Sequence, residues 1–209
     1  MRYKKAMDFL FIIIVLIMSV VVHEVSHGYA ALSLGDPTAK YQGRLTLNPI
    51  SHLDPVGSLL VPLLGYLLGG FVVGWAKPVP FNPYNLRNQR WGEAYVAAAG
   101  PISNIILAIA FGLLLRLVGP ASPIAGPVSF VVLINITLAI FNLVPIPPLD
   151  GSKILFGILP KFAAKFRYAL ESYGLILVFI FIAFLWQILI PVIRSLFLII
   201  AGTGEFDTI

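Results

Sequence analysis

Two histidines and a glutamate stand together inside an otherwise apolar stretch near the start of the chain. They are His23, Glu24 and His27, and residues 9–22 before them carry no charge. A helix places positions i and i+4 on one face, so His23 and His27 can bind one metal ion with Glu24 beside it. Ionisable side chains at membrane depth are costly, which favours a functional explanation for this group.

A catalytic zinc ion usually has three protein ligands and one water, so a third ligand must come from elsewhere in the chain. The chain has no cysteine, which leaves histidine and carboxylate side chains. The candidates are Asp36, His52, Asp54 and Asp150. Asp150 is favoured because it follows an uncharged span and a run of prolines that breaks the helix. Such backbone is tolerated at membrane depth only where it is buried in protein or lines a wet cavity.

The composition indicates a membrane protein. Of 209 residues, 59% are hydrophobic and 11% are charged, whereas about a quarter of a soluble domain is charged. Apolar segments lie at about 8–34, 56–74, 94–118, 124–146 and 172–200. The first runs on without a small-residue cleavage site, so we expect a retained span rather than a signal peptide. We attribute the net charge of +5 to topology and anionic lipid, and expect no nucleic-acid partner.

The pattern predicts an all-α polytopic membrane protein that forms a single domain over residues 1–209. Its three-span catalytic core occupies about 8–151 and includes a re-entrant helix/strand segment at 56–74, where several glycines lie. An amphipathic segment at 153–170 and a C-terminal span at 172–200 follow. The stretches 35–55 and 75–93 are rich in Gly, Pro and Asn, which is typical of turns and short strands.

Three motifs in order resemble those of the site-2 protease family of intramembrane zinc metalloproteases, in its short form without soluble inserted domains. The first is His-Glu-x-x-His at 23–27. A Gly-x-x-x-Asn-like motif follows at Gly100 and Asn104. The family's Asn-x-x-Pro-x-x-x-Leu-Asp-Gly motif is filled by Asn142, Pro145, Leu149, Asp150 and Gly151.

The resemblance implies hydrolysis of peptide bonds in or near transmembrane segments of other membrane proteins. One zinc ion per chain would be held by His23, His27 and Asp150, with Glu24 as the general base on a water. The family also implies that Asn142 bonds substrate backbone or a developing oxyanion.

His52 has two interpretations that the sequence leaves open. It is a candidate for stabilising an oxyanion or gating water, and equally a loop residue bonded to Asp54. Residues 71–80 are a candidate strand edge for an unwound substrate.

The shared metal ion also predicts the topology. The C-terminal ends of the spans that carry the histidines and Asp150 must lie on the same membrane side, so one net crossing, 94–118, separates those spans. Segment 56–74 must then enter and leave on one side. The basic residues permit this topology or a full crossing. We therefore predict an N-terminus outside a cell membrane and an active site that faces the cytosol.

Two other functions use the same residues. A metal or ion transporter would use the His and Asp side chains as a transit site, but transporters usually show paired repeats and several midplane acids, and this sequence shows neither. A proteolytically inactive protein that binds membrane helices has no need of a general base, whereas Glu24 is intact.

Overall fold

The computed structural model describes residues 2–54, 57, 76–159 and 164–202. Its helices are α1 (Arg2–Ser33), α2 (Thr38–Tyr41), α3 (Gly92–Val118), α4 (Ala125–Asn142), α5 (Asp150–Ile158), α6 (Ala164–Ile180) and α7 (Trp186–Ala201). Short 3-10 helices lie at Pro49–His52 and Pro83–Asn85, and a π-helical turn at Phe181–Leu185 joins α6 to α7.

Four helical stretches are long and apolar enough to cross a membrane: Leu10–Ser33, Gly92–Val118, Ala125–Asn142 and Lys165–Ala201. They coincide with four of the five apolar segments, which confirms the all-α, multi-span prediction. The fifth segment, 56–74, lies outside the described residues apart from Gly57. The predicted amphipathic segment falls on α5 and the start of α6, with residues 160–163 between them outside the described part.

Helix α3 is central, since it packs against α1, α4, α5 and α7. Apolar side chains between α3, α4 and α7 form the main core, with Leu115, Ile136 and Phe197 almost completely buried. Small residues allow the helices to approach closely. A Cβ atom on Gly112 would lie 3.0 Å from the carbonyl oxygen of Ile200.

The polar loops after α1 contain turns and 3-10 helices, and no strand occurs in the parts of 35–55 and 75–93 that the structure describes. The physical reason is visible at two asparagines. The side-chain oxygens of Asn48 and Asn82 accept from the backbone N–H groups of Ile50 and Tyr84, which closes local turns instead of leaving those donors for a sheet. A proline begins each 3-10 helix, where its missing N–H is not needed.

Asp36 joins the end of α1 to the loop that precedes α3. One carboxylate oxygen accepts from the N–H and hydroxyl of Thr38 and from the amide of Asn85, and the other accepts from the N–H of Asn82 at 2.6 Å. Burial acts to raise the pKa of this carboxyl, but the hydrogen bonds outweigh it and hold the pKa below its ordinary value.

Replacing Asp36 with Asn should destabilise the protein by about 2 kcal/mol, because an amide nitrogen would face a buried donor. Since the folded-state pKa is lowered, the stability from this carboxylate is present above the unfolded pKa of about 4 and is lost as pH falls through the folded pKa. Thermal unfolding in detergent from pH 7 down to pH 3 should therefore show a shallower acid loss in Asp36→Asn than in the wild type. Equal slopes would contradict the assignment.

Candidate metal centre

His23 and His27 lie on the inner face of α1. The buried positions of this helix include Ser19, His23, His27 and Ala31, four residues apart, so one stripe faces α3 and α4. The two histidines are 5% and 7% exposed, and their rings meet edge to face with centroids 4.6 Å apart. The expected i, i+4 pair is therefore present, and it points into the protein.

Hydrogen bonds at the far side of each ring set the orientation of the histidines. Nδ1 of His23 donates to Oδ1 of Asn104 over 2.6 Å, and Nδ1 of His27 donates to the carbonyl of Val96 over 2.7 Å. A carbonyl oxygen can only accept, so each Nδ1 carries the proton. Each Nε2 then presents a lone pair, which is the form in which histidine binds a metal.

Asp150 brings a carboxylate oxygen to the two histidine nitrogens. It is the first residue of α5, is 8% exposed, and its Oδ2 lies 3.0 Å from Nε2 of His23 and 3.2 Å from Nε2 of His27. Gly151 allows this approach, since a Cβ atom there would lie 2.5 Å from the carbonyl carbon of Leu143. The three residues form a group that could hold a metal ion.

The chemistry of this donor set fits a zinc ion. Two nitrogen lone pairs and a carboxylate oxygen would repel one another unless a cation lies between them. Neighbouring ligand atoms in a tetrahedral zinc site are about 3.3 Å apart, given zinc–ligand bonds of about 2.0–2.1 Å. The separations of 3.0 and 3.2 Å are close to that value.

Gly100 of α3 leaves the space in which the histidine nitrogens meet. A Cβ atom on Gly100 would lie 2.5 Å from Nε2 of both His23 and His27. Those atoms are parts of side chains that are fixed at the other end of each ring, so they have little freedom to move away. The glycine of the Gly-x-x-x-Asn-like motif therefore provides room for the metal centre, and its asparagine provides the hydrogen bond to His23.

Glu24 follows His23 on α1, and its Oε2 accepts from the backbone N–H of Val79 over 2.9 Å. Val79 can come this close to the helix because residue 28 is a glycine, whose Cβ would lie 2.9 Å from a Val79 methyl group. Residues 71–75 of the candidate strand edge lie outside the described residues. Of the rest, the N–H groups of Lys77 and Val79 are already bonded to His52 and Glu24.

Asn142 and His52, the other two candidate site residues, make local contacts. The amide of Asn142 donates to the carbonyl of Leu138, one turn earlier in α4. His52 is 2% exposed and donates from Nε2 to the carbonyl of Thr46, whereas its backbone oxygen accepts from Lys77. Asp54 accepts from the N–H of Gly57. The structure therefore brings together His23, His27 and Asp150. His52 instead lies at the end of the 3-10 helix Pro49–His52 and bonds to Thr46.

Sequence reasoning did not single out two polar residues that the structure places behind His23. Ser19 of α1 and Asn135 of α4 are both buried. The amide of Asn104 donates to the side-chain oxygen of Asn135 and to the carbonyl of Ser19, and the amide of Asn135 donates to the Ser19 hydroxyl. Their signal in the sequence is their polarity within apolar spans, together with the spacing of four residues between Ser19 and His23.

Known proteins with similar sequences cover the part of the chain that contains this site. A family model described as peptidase family M50 matches residues 11–122 and 119–186. The chain is 41% identical over 175 residues to YwhC of Bacillus subtilis, which bears the name of a zinc metalloprotease, and the match covers 79% of this chain and 77% of YwhC. It is 32% identical over 145 residues to Rip2 of Mycolicibacterium smegmatis, a zinc metalloprotease by name, with 68% of this chain and 55% of Rip2 covered. No solved structure matches the chain.

Replacing Gly100 with Ala should weaken zinc binding at least about ten-fold, because the added methyl group would displace both histidine rings. Gly126→Ala is the matched control, since a Cβ atom on Gly126 of α4 meets nothing within 4 Å. Chelator competition on both purified variants would test this. Equal zinc affinity in the two would contradict the role of Gly100.

Proposed function

Because the chain belongs to peptidase family M50 and is an intramembrane zinc metalloprotease of the site-2 type, we propose that it cleaves membrane proteins within or next to their transmembrane segments. In this proposal His23, His27 and Asp150 hold the zinc ion, and Glu24 is the general base. The observation that carries the proposal is the approach of Asp150 Oδ2 to both histidine nitrogens, at 3.0 and 3.2 Å.

The chemistry needs a polarised carbonyl and an activated water. A zinc ion at the ligand group supplies Lewis acidity for both. The carboxylate of Glu24 accepts a proton from the attacking water and delivers it to the amine of the leaving peptide. The N–H of Val79 fixes one oxygen of that carboxylate, so the other oxygen is held in one orientation for proton transfer. The hydrogen bonds that His23 and His27 donate to the oxygens of Asn104 and Val96 prevent the two rings from turning away during the reaction.

The proposed substrate class follows from the surroundings of the site. The ligand atoms lie between helices that are apolar and long enough to span a membrane. A helical substrate hides its carbonyl groups in backbone hydrogen bonds, so the segment to be cut must unwind before it can reach the metal centre. A membrane protein with a transmembrane segment that unwinds readily near one end therefore fits best.

We further propose that the metal centre opens toward the cytosol of a cell membrane. His52 and Lys77, on either side of the segment 55–75, are joined by a backbone hydrogen bond of 2.9 Å, and Arg87 bonds to Leu34 at the end of α1 over 2.8 Å. These residues therefore lie on one membrane side. The loops between α1 and α3 contain five of the eleven Lys and Arg residues that follow α1, and four more lie between residues 153 and 167, after Asp150. Such an excess of basic residues is typical of the cytosolic side.

Replacing Glu24 with Gln should reduce cleavage about 10²–10⁴-fold while about one zinc per chain is retained, because a general base contributes that range and an amide cannot take the proton. Asp150→Ala should lose most of the zinc. Cleavage of tagged single-span membrane proteins in proteoliposomes and metal analysis of the same samples would measure both. Full activity in Glu24→Gln would refute the base, and full zinc in Asp150→Ala would refute the ligand set.

Single cysteines at Tyr84 and Ala121 should report opposite membrane sides. Both positions are exposed, and the chain has no cysteine of its own. Tyr84 precedes α3 and Ala121 follows it, so in intact cells an impermeant maleimide should label only Ala121→Cys. Tyr84→Cys should react after permeabilisation. The reverse pattern, or labelling of both in intact cells, would contradict the cytosolic orientation.

A further inference from the structure

Three polar residues form a hydrogen-bond network behind the metal centre, where α1, α3 and α4 meet. Ser19 is 5% exposed, and Asn104 and Asn135 are completely buried. The amide nitrogen of Asn104 donates to Oδ1 of Asn135 over 2.9 Å and to the carbonyl of Ser19 over 3.3 Å. The amide nitrogen of Asn135 donates to the Ser19 hydroxyl over 3.0 Å and to the carbonyl of Val131 over 2.9 Å. Burying such groups among apolar helices is unfavourable unless each finds a partner.

The network has a fixed direction. The carbonyl of Val131 can only accept, so the nitrogen of the Asn135 amide must face it, and the oxygen of that amide must face Asn104. This oxygen and the carbonyl of Ser19 draw the nitrogen of the Asn104 amide to their side. The oxygen of Asn104 is then left facing His23, where it can only accept from Nδ1.

We propose that Asn135 is a positioning residue for the metal centre, which acts through Asn104 to hold His23 in the tautomer and orientation that bind zinc. The inference rests on the proposed function in one respect, that His23 is a zinc ligand. Asn135 itself belongs to a different helix and has no hydrogen bond to any of the three ligand side chains among the described residues.

Asn135 matters because, without it, the amide of Asn104 can turn over. Without it, only the longer bond to the carbonyl of Ser19 orients the amide of Asn104. An Asn104 amide that turns over presents its nitrogen to His23, which then needs its lone pair on Nδ1 and its proton on Nε2. That tautomer cannot bind the metal through Nε2. Partners of this kind beyond a ligand typically change metal affinity by 10–100-fold.

Asn135→Leu keeps the number of non-hydrogen side-chain atoms but removes the hydrogen bonds of the amide. It should weaken zinc binding about ten-fold in chelator competition. Ser19→Ala should have a smaller effect, since the carbonyl of Val131 still orients Asn135. Ser129→Ala is the matched control, because Ser129 is buried on the same helix and is not a hydrogen-bond partner of the network in the described part of the chain. It should bind zinc as the wild type does.

The cobalt-substituted protein gives a second readout that packing alone would not change. The visible absorption bands of tetrahedral cobalt should weaken or shift in Asn135→Leu and stay unchanged in Ser129→Ala, while thermal unfolding of the metal-free proteins shows that each is folded. If Asn135→Leu does not fold, Asn135→Ala serves for the same comparison. Wild-type zinc affinity and cobalt spectrum in a folded Asn135 variant would overturn the inference. If Asp150→Ala also binds zinc as the wild type does, the proposed ligand set itself is wrong.

Discussion

The proposed zinc ligands come from two distant parts of the chain and meet within about 3 Å, and much of the surrounding structure follows from this. Asp150 lies 127 residues after His23, and the segment between them includes α3 and α4. The N-terminus of α5 has to reach the inner face of α1 across the end of α3. Because side chains at this depth are surrounded by apolar helices, each donor and acceptor around the ligands also needs a fixed partner.

Glycines and buried amides meet these two requirements in different ways. Gly100 and Gly151 give space, since a Cβ atom at either position would collide with a histidine nitrogen or with the backbone of the preceding loop. Asn104 gives direction, because its amide fixes which nitrogen of His23 carries the proton. Without the hydrogen bond to Asn104, the ring of His23 would be free to turn. With a larger residue than glycine at position 100, the histidine rings and α3 could not approach each other this closely. The metal centre therefore depends on both kinds of residue, in α3 and at the start of α5.

The proposed metal ligands were predictable from the sequence because each of the two segments that carry them has a local signal. Helical periodicity alone places His23 and His27 together, and a carboxylate after a proline-rich helix break predicts a ligand such as Asp150. The helical spans were equally predictable, since their apolar runs have the length that a bilayer requires. The contact of Val79 with Glu24 was not, because it depends on how an irregular loop returns to α1. The role of Asn135 was not predictable either. A single amide in an apolar span indicates that it has a buried hydrogen-bond partner, but the sequence does not identify that partner.

The depth of the site along α1 limits which bonds of a substrate it can reach. His23 and His27 precede the end of α1 at Ser33 by ten and six residues, which is roughly 15 and 9 Å along a helix. With Ser33 at the edge of a hydrocarbon core about 30 Å thick, the proposed metal centre would lie in the half of the membrane next to the polar loops. Only the last four carbonyl groups of a helix lack helical partners, so a substrate helix must unwind about two to three turns from its end on that side to reach the site. In the proposed function, cleavage thus falls within the cytosolic half of the transmembrane segment.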